Sequence, residues 1–93
     1  MNVKVTIFDN ENYTDHSFTT ALTKELSKVG RTLLTLESEQ KKEKFLFRSK
    51  DYIVITIQVD GEEVYDPDEY NEIISAPITK VAEELSFEIY GIE

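Results

Sequence analysis

The chain holds one histidine, His16, no cysteine, and three scattered glycines, Gly30, Gly61 and Gly91. Imidazole catalysis requires a nucleophile or an acid partner within hydrogen-bond reach. None is advertised near His16, which reads as a polar residue in the first turn of a helix. There is no G-x-S-x-G elbow, and the glycines do not gather into a loop that would cradle phosphate. Without cysteine there is no disulfide, no thiolate nucleophile and no thiolate-bound metal. Carboxylates are the remaining candidates. Asp60, Glu62, Asp66 and Asp68 fall at nearly alternating positions, but neither they nor Asp9-Asn10-Glu11-Asn12 complete the D-x-D-x-D-G core of a calcium loop. A paired-carboxylate hydrolase needs one acid positioned in a cleft, and nothing in the sequence marks one. The residues therefore predict a non-enzyme with no catalytic residue, no metal ligands and no cofactor.

The carboxylates say more as a field than as ligands. Formal net charge is −9, unevenly spread: residues 1–59 carry eight acids and nine bases, whereas residues 60–93 carry eleven acids and Lys80 alone. Asp60, Glu62, Glu63, Asp66, Asp68, Glu69 and Glu72 stand close together with no base among them. Like charges this dense repel one another and work against the compact state. Glu83 and Glu84 lie near the predicted C-terminal end of a helix, where a negative charge opposes the macrodipole at about 0.3–1 kcal/mol each. Local stability does not explain them, whereas a need for negative potential does. Such a face attracts a basic surface and speeds the encounter with it. Tyr65 and Tyr70, inside the run, combine contact area with a polar tip and suit an interface anchor. The expected partner site is Asp60, Glu62, Glu63, Tyr65, Asp66, Asp68, Glu69, Tyr70, Glu72, Glu83 and Glu84, with help from Glu88. The expected partner is a basic protein, above all one that binds nucleic acid. Nucleic acid itself and anionic membranes have the wrong sign of charge for direct binding.

The elements that must position this face follow from apolar spacing. Val3, Val5 and Ile7 alternate with polar residues as a strand does. After a polar turn at Asp9–Asn12, Phe18, Leu22, Leu26 and Val29 share one helical face over residues 15–29. Thr14 or Asp15 can cap the start and Gly30 suits the residue after the end, although Thr19, Thr20 and Thr23 are poor helix formers. Three strands are expected next: residues 31–37, then Phe45-Leu46-Phe47 after a loop at 38–43, then Tyr52–Val59 after a turn at Ser49-Lys50-Asp51. In the last, Ile53, Ile55, Ile57 and Val59 keep a strict period of two. Asp60-Gly61 is a hairpin signal that could add a short strand at Val64 and Tyr65. Asp66, Pro67 and Glu69 mark a helix start, with Tyr70, Ile73 and Ile74 on its buried face. Pro77 should stop or kink that helix near Ser75-Ala76. A second short helix would bury Ile78, Val81, Ala82 and Leu85, and Ser86–Tyr90 reads as a last strand.

The chain thus predicts one α+β domain over residues 1–93: a two-layer sandwich, order β-α-β-β-β-α-α-β, with an antiparallel sheet of four to five strands and helices on one face. Its middle shares the element order of a double-stranded-RNA-binding domain, but the helix that should meet phosphate begins Asp66-Pro67-Asp68-Glu69. In size and charge the chain is similar to the small acidic nucleic-acid mimics of phages and mobile elements, including anti-restriction and anti-CRISPR proteins. That resemblance implies an inhibitor that occupies a groove built for phosphates. An immunity protein or secretion adaptor that recognises one toxin or effector is the alternative, and a homo-oligomeric structural protein the next. No signal peptide or apolar stretch of spanning length is read, so the expected location is cytoplasmic.

Overall fold

The computed structural model describes the backbone of residues 1–93 and every side chain except that of Phe45. β1 (Asn2–Phe8) leads into α1 (Asp15–Lys28), then β2 (Leu33–Phe45) and β3 (Arg48–Val59). A helical stretch follows as α2 (Pro67–Tyr70), a π-helical turn (Asn71–Ser75) and α3 (Ala76–Leu85), and β4 (Ile89–Ile92) ends the fold. The strands form one antiparallel sheet in the order β2-β3-β1-β4. Each helical crossover joins two strands separated by one intervening strand, which is the split β-α-β arrangement. The expected α+β sandwich is the observed architecture.

Alternation decides which face is covered. Val3, Val5 and Ile7 on β1 stand opposite Ile57, Ile55 and Ile53 on β3, and all six are buried. Onto them α1 lays Phe18, Leu22 and Leu26, none of which is exposed to solvent. Burying three such side chains is worth about 1.5–3 kcal/mol each, against losses of roughly 0.5 kcal/mol for each threonine in the helix. That balance explains why the helix forms. Thr14 caps it, its Oγ1 accepting from the Ser17 N–H at 3.1 Å. Ile74, Ile78, Val81 and Ala82 close the layer from the second helical stretch, and the Phe87 ring stops its far end between Tyr13 and Phe18. On the opposite face, Phe8, Tyr52 and Tyr90 pack against one another with ring centroids 5.1–5.6 Å apart.

Four local expectations are corrected. The strands expected at 31–37 and 45–47 are one long strand, β2, and Ser38–Lys44 pair in register with Ile55–Ser49 of β3. Ladder hydrogen bonds do not need apolar side chains, and Glu39–Lys44, all exposed on the β2 side of the ladder, carry no hydrophobic period to read. Its turn is Leu46-Phe47, with Leu46 at φ +53, rather than Ser49-Lys50-Asp51. Val64 and Tyr65 form no strand after Asp60-Gly61. Both edges of β3 are already taken by β1 and β2, so a further hairpin partner has nowhere to pair. At Pro77 the outcome is as expected: a π-helical turn ending at Ser75 interrupts the regular α-helix, and α3 follows as the second helical segment. That turn widens so that the Ala76 N–H donates to the Asn71 carbonyl, which makes room for the proline ring and lets α3 follow. The last strand starts at Ile89, because Ser86 adopts a left-handed φ of +61 and the Phe87 N–H donates back to the Ala82 carbonyl at 2.8 Å.

Candidate functional site

The acidic segment leaves the sheet at the end of β3 and is tied down at its base. Asp60 binds Thr32, just before β2, through backbone and side chain: its N–H donates to the Thr32 carbonyl at 3.0 Å, and its Oδ1 accepts from the Thr32 N–H at 2.8 Å. The Arg31 guanidinium donates to the Asp60 carbonyl at 3.2 Å and lies where a Cβ on Gly61, held at φ +92, would project. Asp66 caps α2, its Oδ1 accepting from the Asp68 N–H at 2.9 Å. Tyr70 packs against the core, and burial, then the charge of Glu63, pushes its phenol above the ordinary value. Asp60, Asp66 and Tyr70 of the expected site therefore have their side chains engaged within the chain.

Six residues of the run are left facing outward: Glu62, Glu63, Tyr65, Asp68, Glu69 and Glu72. Tyr65 is 89% exposed. Among the described residues the ion pairs are those of Glu25 with Lys28 and with Lys80, and no carboxylate of residues 60–72 belongs to one. Glu83 and Glu84 are exposed, but the helix carries them about 20 Å from Asp68 at ~1.5 Å per residue. The structure does not bring them into the same cluster. Glu84 instead adds to the field that keeps Lys28 charged.

Glu25 is a carboxylate whose position the sequence did not flag. It is 4% exposed, with Oε1 accepting from Lys28 Nζ at 3.0 Å and Oε2 at 3.7 Å from Lys80 Nζ on α3. The Lys28 hydrogen bond, outweighing burial, holds its carboxyl below the ordinary value. A depressed folded-state pKa stabilises the fold above the unfolded value, about 4.3 for Glu, and that contribution is lost as pH falls through the folded value. Urea titrations from pH 7 down to about pH 3 should show Glu25→Gln less stable than the parent at neutral pH, with the gap closing in acid. A gap independent of pH would show that the charge is not what matters.

A cleft of about 520 Å³ opens between the β1–α1 connection and β2, lined in part by Asp9, Glu11, Tyr13, Asp15, Ser38 and Glu39. Asp15 Oδ1 accepts from Tyr13 Oη at 2.8 Å and from Ser38 Oγ at 2.6 Å. Burial, and next the hydrogen bond to Asp15, pushes the Tyr13 phenol above its ordinary range, so it stays a donor. His16, exposed in the first turn of α1, is not among the lining residues.

The largest feature passed over in the sequence is an arm. β1 pairs with β3 as far as Phe8 opposite Tyr52, and the Asp9 N–H adds one bond to the Asp51 carbonyl, so residues 43–50 of the β2–β3 hairpin extend as two strands alone. Lys41, Lys42, Lys44, Arg48 and Lys50 are exposed along it, against Glu43 and Asp51. At its turn Leu46 is 95% and Phe47 102% exposed. The placing of bases on both sides of Leu46-Phe47 was the available signal.

No protein-family model and no curated protein sequence matches the chain. Among solved structures, it resembles a phage SAM lyase in its apo state, with a TM-score of 0.59 at 9% identity, covering 99% of this chain and 85% of that one. A protein described as unknown, from Galdieria sulphuraria, superposes with a TM-score of 0.44 at 20% identity, with 99% of this chain on 46% of the other. The first likeness is one of fold. Among the described residues, no helix is long and apolar enough to cross a membrane.

Proposed function

We propose that the protein is a non-catalytic inhibitor or adaptor that docks its acidic end on a basic, nucleic-acid-binding protein. The observation that carries this reading is the set of five exposed carboxylates, Glu62, Glu63, Asp68, Glu69 and Glu72, with no ion pair among the described residues. The Met1 ammonium and the Arg31 guanidinium lie at the base of the segment, but no ion pair joins these carboxylates among the described residues, and a basic partner turns their mutual repulsion into attraction. Tyr65 lies among them as an exposed anchor. The phosphate-like density of charge favours a partner whose own groove is made for nucleic acid. Affinity capture from host cells at low and high salt tests this. The partner should be released by salt and displaced by DNA or RNA, and a partner held equally at both salts and in the presence of nucleic acid would refute the reading.

A second reading is enzymatic and rests on the cleft. Its carboxylates and the protonated Tyr13 make a setting for a cationic small molecule, and a phage SAM lyase has a similar fold. S-adenosylmethionine carries a sulfonium cation of the matching sign. Incubation with it should leave it unconsumed if the protein only binds partners. Consumption lost in Tyr13→Phe or Asp15→Asn would establish the enzyme instead.

A further inference from the structure

We propose that the β2–β3 arm docks on the acidic end of a second copy of the chain, so that copies associate head to tail. The arm has the composition of a surface that meets something. Residues 41–51 carry five bases against two acids, and both turn residues are apolar and fully exposed. Two-stranded hairpins standing alone are marginal in water. This one also holds Leu46 at φ +53, where a side chain costs about 1–2 kcal/mol. A contact that covers Leu46 and Phe47 offsets both penalties.

The complement is on the same molecule and out of its own arm's reach. The turn and Asp60 lie at opposite ends of β3, about 40 Å apart at ~3.3 Å per residue, in a molecule 44 Å long. At the far end stand Glu62, Glu63, Asp68, Glu69 and Glu72, without ion pairs among the described residues, beside Tyr65, which is 89% exposed. Bases face acids, and an apolar turn faces an aromatic ring. The receptor is present in the same amount as the arm wherever the chain is made. Because the two surfaces differ, the contact is heterologous: it closes into a ring or continues as a filament. This inference rests on reading the acidic end as a docking surface. The arm then competes with the basic partner for that end.

Sedimentation velocity of the intact chain at micromolar concentration tests the idea. At low salt the parent should sediment as multiples of the monomer, and at 1 M salt, with the Debye length cut to about 3 Å, as the monomer. Two arm variants, Lys41→Glu/Lys42→Glu/Lys44→Glu and Leu46→Ser/Phe47→Ser, should be monomeric at low salt with an unchanged circular dichroism spectrum. Mixing the first with a receptor variant, Glu62→Lys/Glu63→Lys/Asp68→Lys/Glu69→Lys, should restore association through the swapped charges. A parent that is monomeric at low salt overturns the inference, as does self-association that survives both arm variants. Arm-dependent binding of a monomeric parent to a duplex oligonucleotide or to phosphatidylserine vesicles overturns it too. The arm variants retain the acidic end, so a parent that captures its basic partner while staying monomeric refutes this inference alone. Failure of partner capture alongside intact self-association refutes only the inhibitor reading.

Discussion

Reversing Glu62, Glu63, Asp68 and Glu69 to lysine is expected to abolish capture of the basic partner while leaving the fold in place. Exposed ion pairs contribute about 0.2–1 kcal/mol each. Losing four removes ~0.8–4 kcal/mol, a drop in affinity of roughly 4- to 1,000-fold. Reversal also adds repulsion where there was attraction, so the upper part of that range is the expected one, most marked at low salt. Stability responds differently. Asp68 and Glu69 occupy the first turn of α2, where a negative charge gains about 0.3–1 kcal/mol from the helix dipole. Against that, the change relieves crowding among the carboxylates of residues 60–72. The Asp66 cap, the Asp60–Thr32 bonds and the buried face of the helix are untouched. The unfolding free energy should therefore stay within about 1 kcal/mol of the parent's. The test is a paired titration of binding and urea unfolding. Binding that survives reversal but falls on Tyr65→Ala would mean recognition by shape, as an immunity protein or adaptor would use.

The second large effect is on folding itself. Phe18 is fully buried, with the Phe87 ring stacked at 6.5 Å and an interplanar angle of 17°, and the Tyr13 ring at 5.9 Å. It joins α1 to the segment that follows α3 and seats both on the sheet. Phe18→Ala removes the ring and leaves a cavity between elements that are held apart by their other contacts, a loss of about 3–5 kcal/mol. A domain of this size has about 5–14 kcal/mol in total, so the midpoint of thermal unfolding should fall by roughly 15–30 °C. Urea unfolding should show a lower midpoint with an unchanged slope. A loss below about 1.5 kcal/mol would mean that the site collapses around the smaller residue and that the aromatic cluster is not a keystone.

The regular elements that bury apolar residues were legible before the structure because burial imposes a period. Val3, Val5 and Ile7, the Ile53–Val59 alternation, and Phe18, Leu22 and Leu26 each state which side of their element faces inward, and the structure buries all of them. Start signals were equally local: Thr14 and Asp66 cap the helices they were expected to cap. The exposed half of the β2–β3 hairpin obeys no such period. Its strands exist through backbone pairing between residues as far apart as Gln40 and Ile53, and no local property of Ser38–Lys44 records it.

The same division governs the acidic face. Amino-acid order by itself determined that the negative charge lies in residues 60–93 and that a helix begins at Pro67 inside it, because charge type and capping chemistry are written residue by residue. Tertiary structure alone decided which carboxylates remain free. It spent Asp60 on Thr32, sealed Glu25 between Lys28 and Lys80, and set Glu83 and Glu84 far from Asp68. It also placed a basic arm at the opposite end of β3 from the acids. A charge becomes a docking surface or a structural bond according to what the fold brings within a few ångströms of it, and that distance belongs to the fold rather than to any single residue.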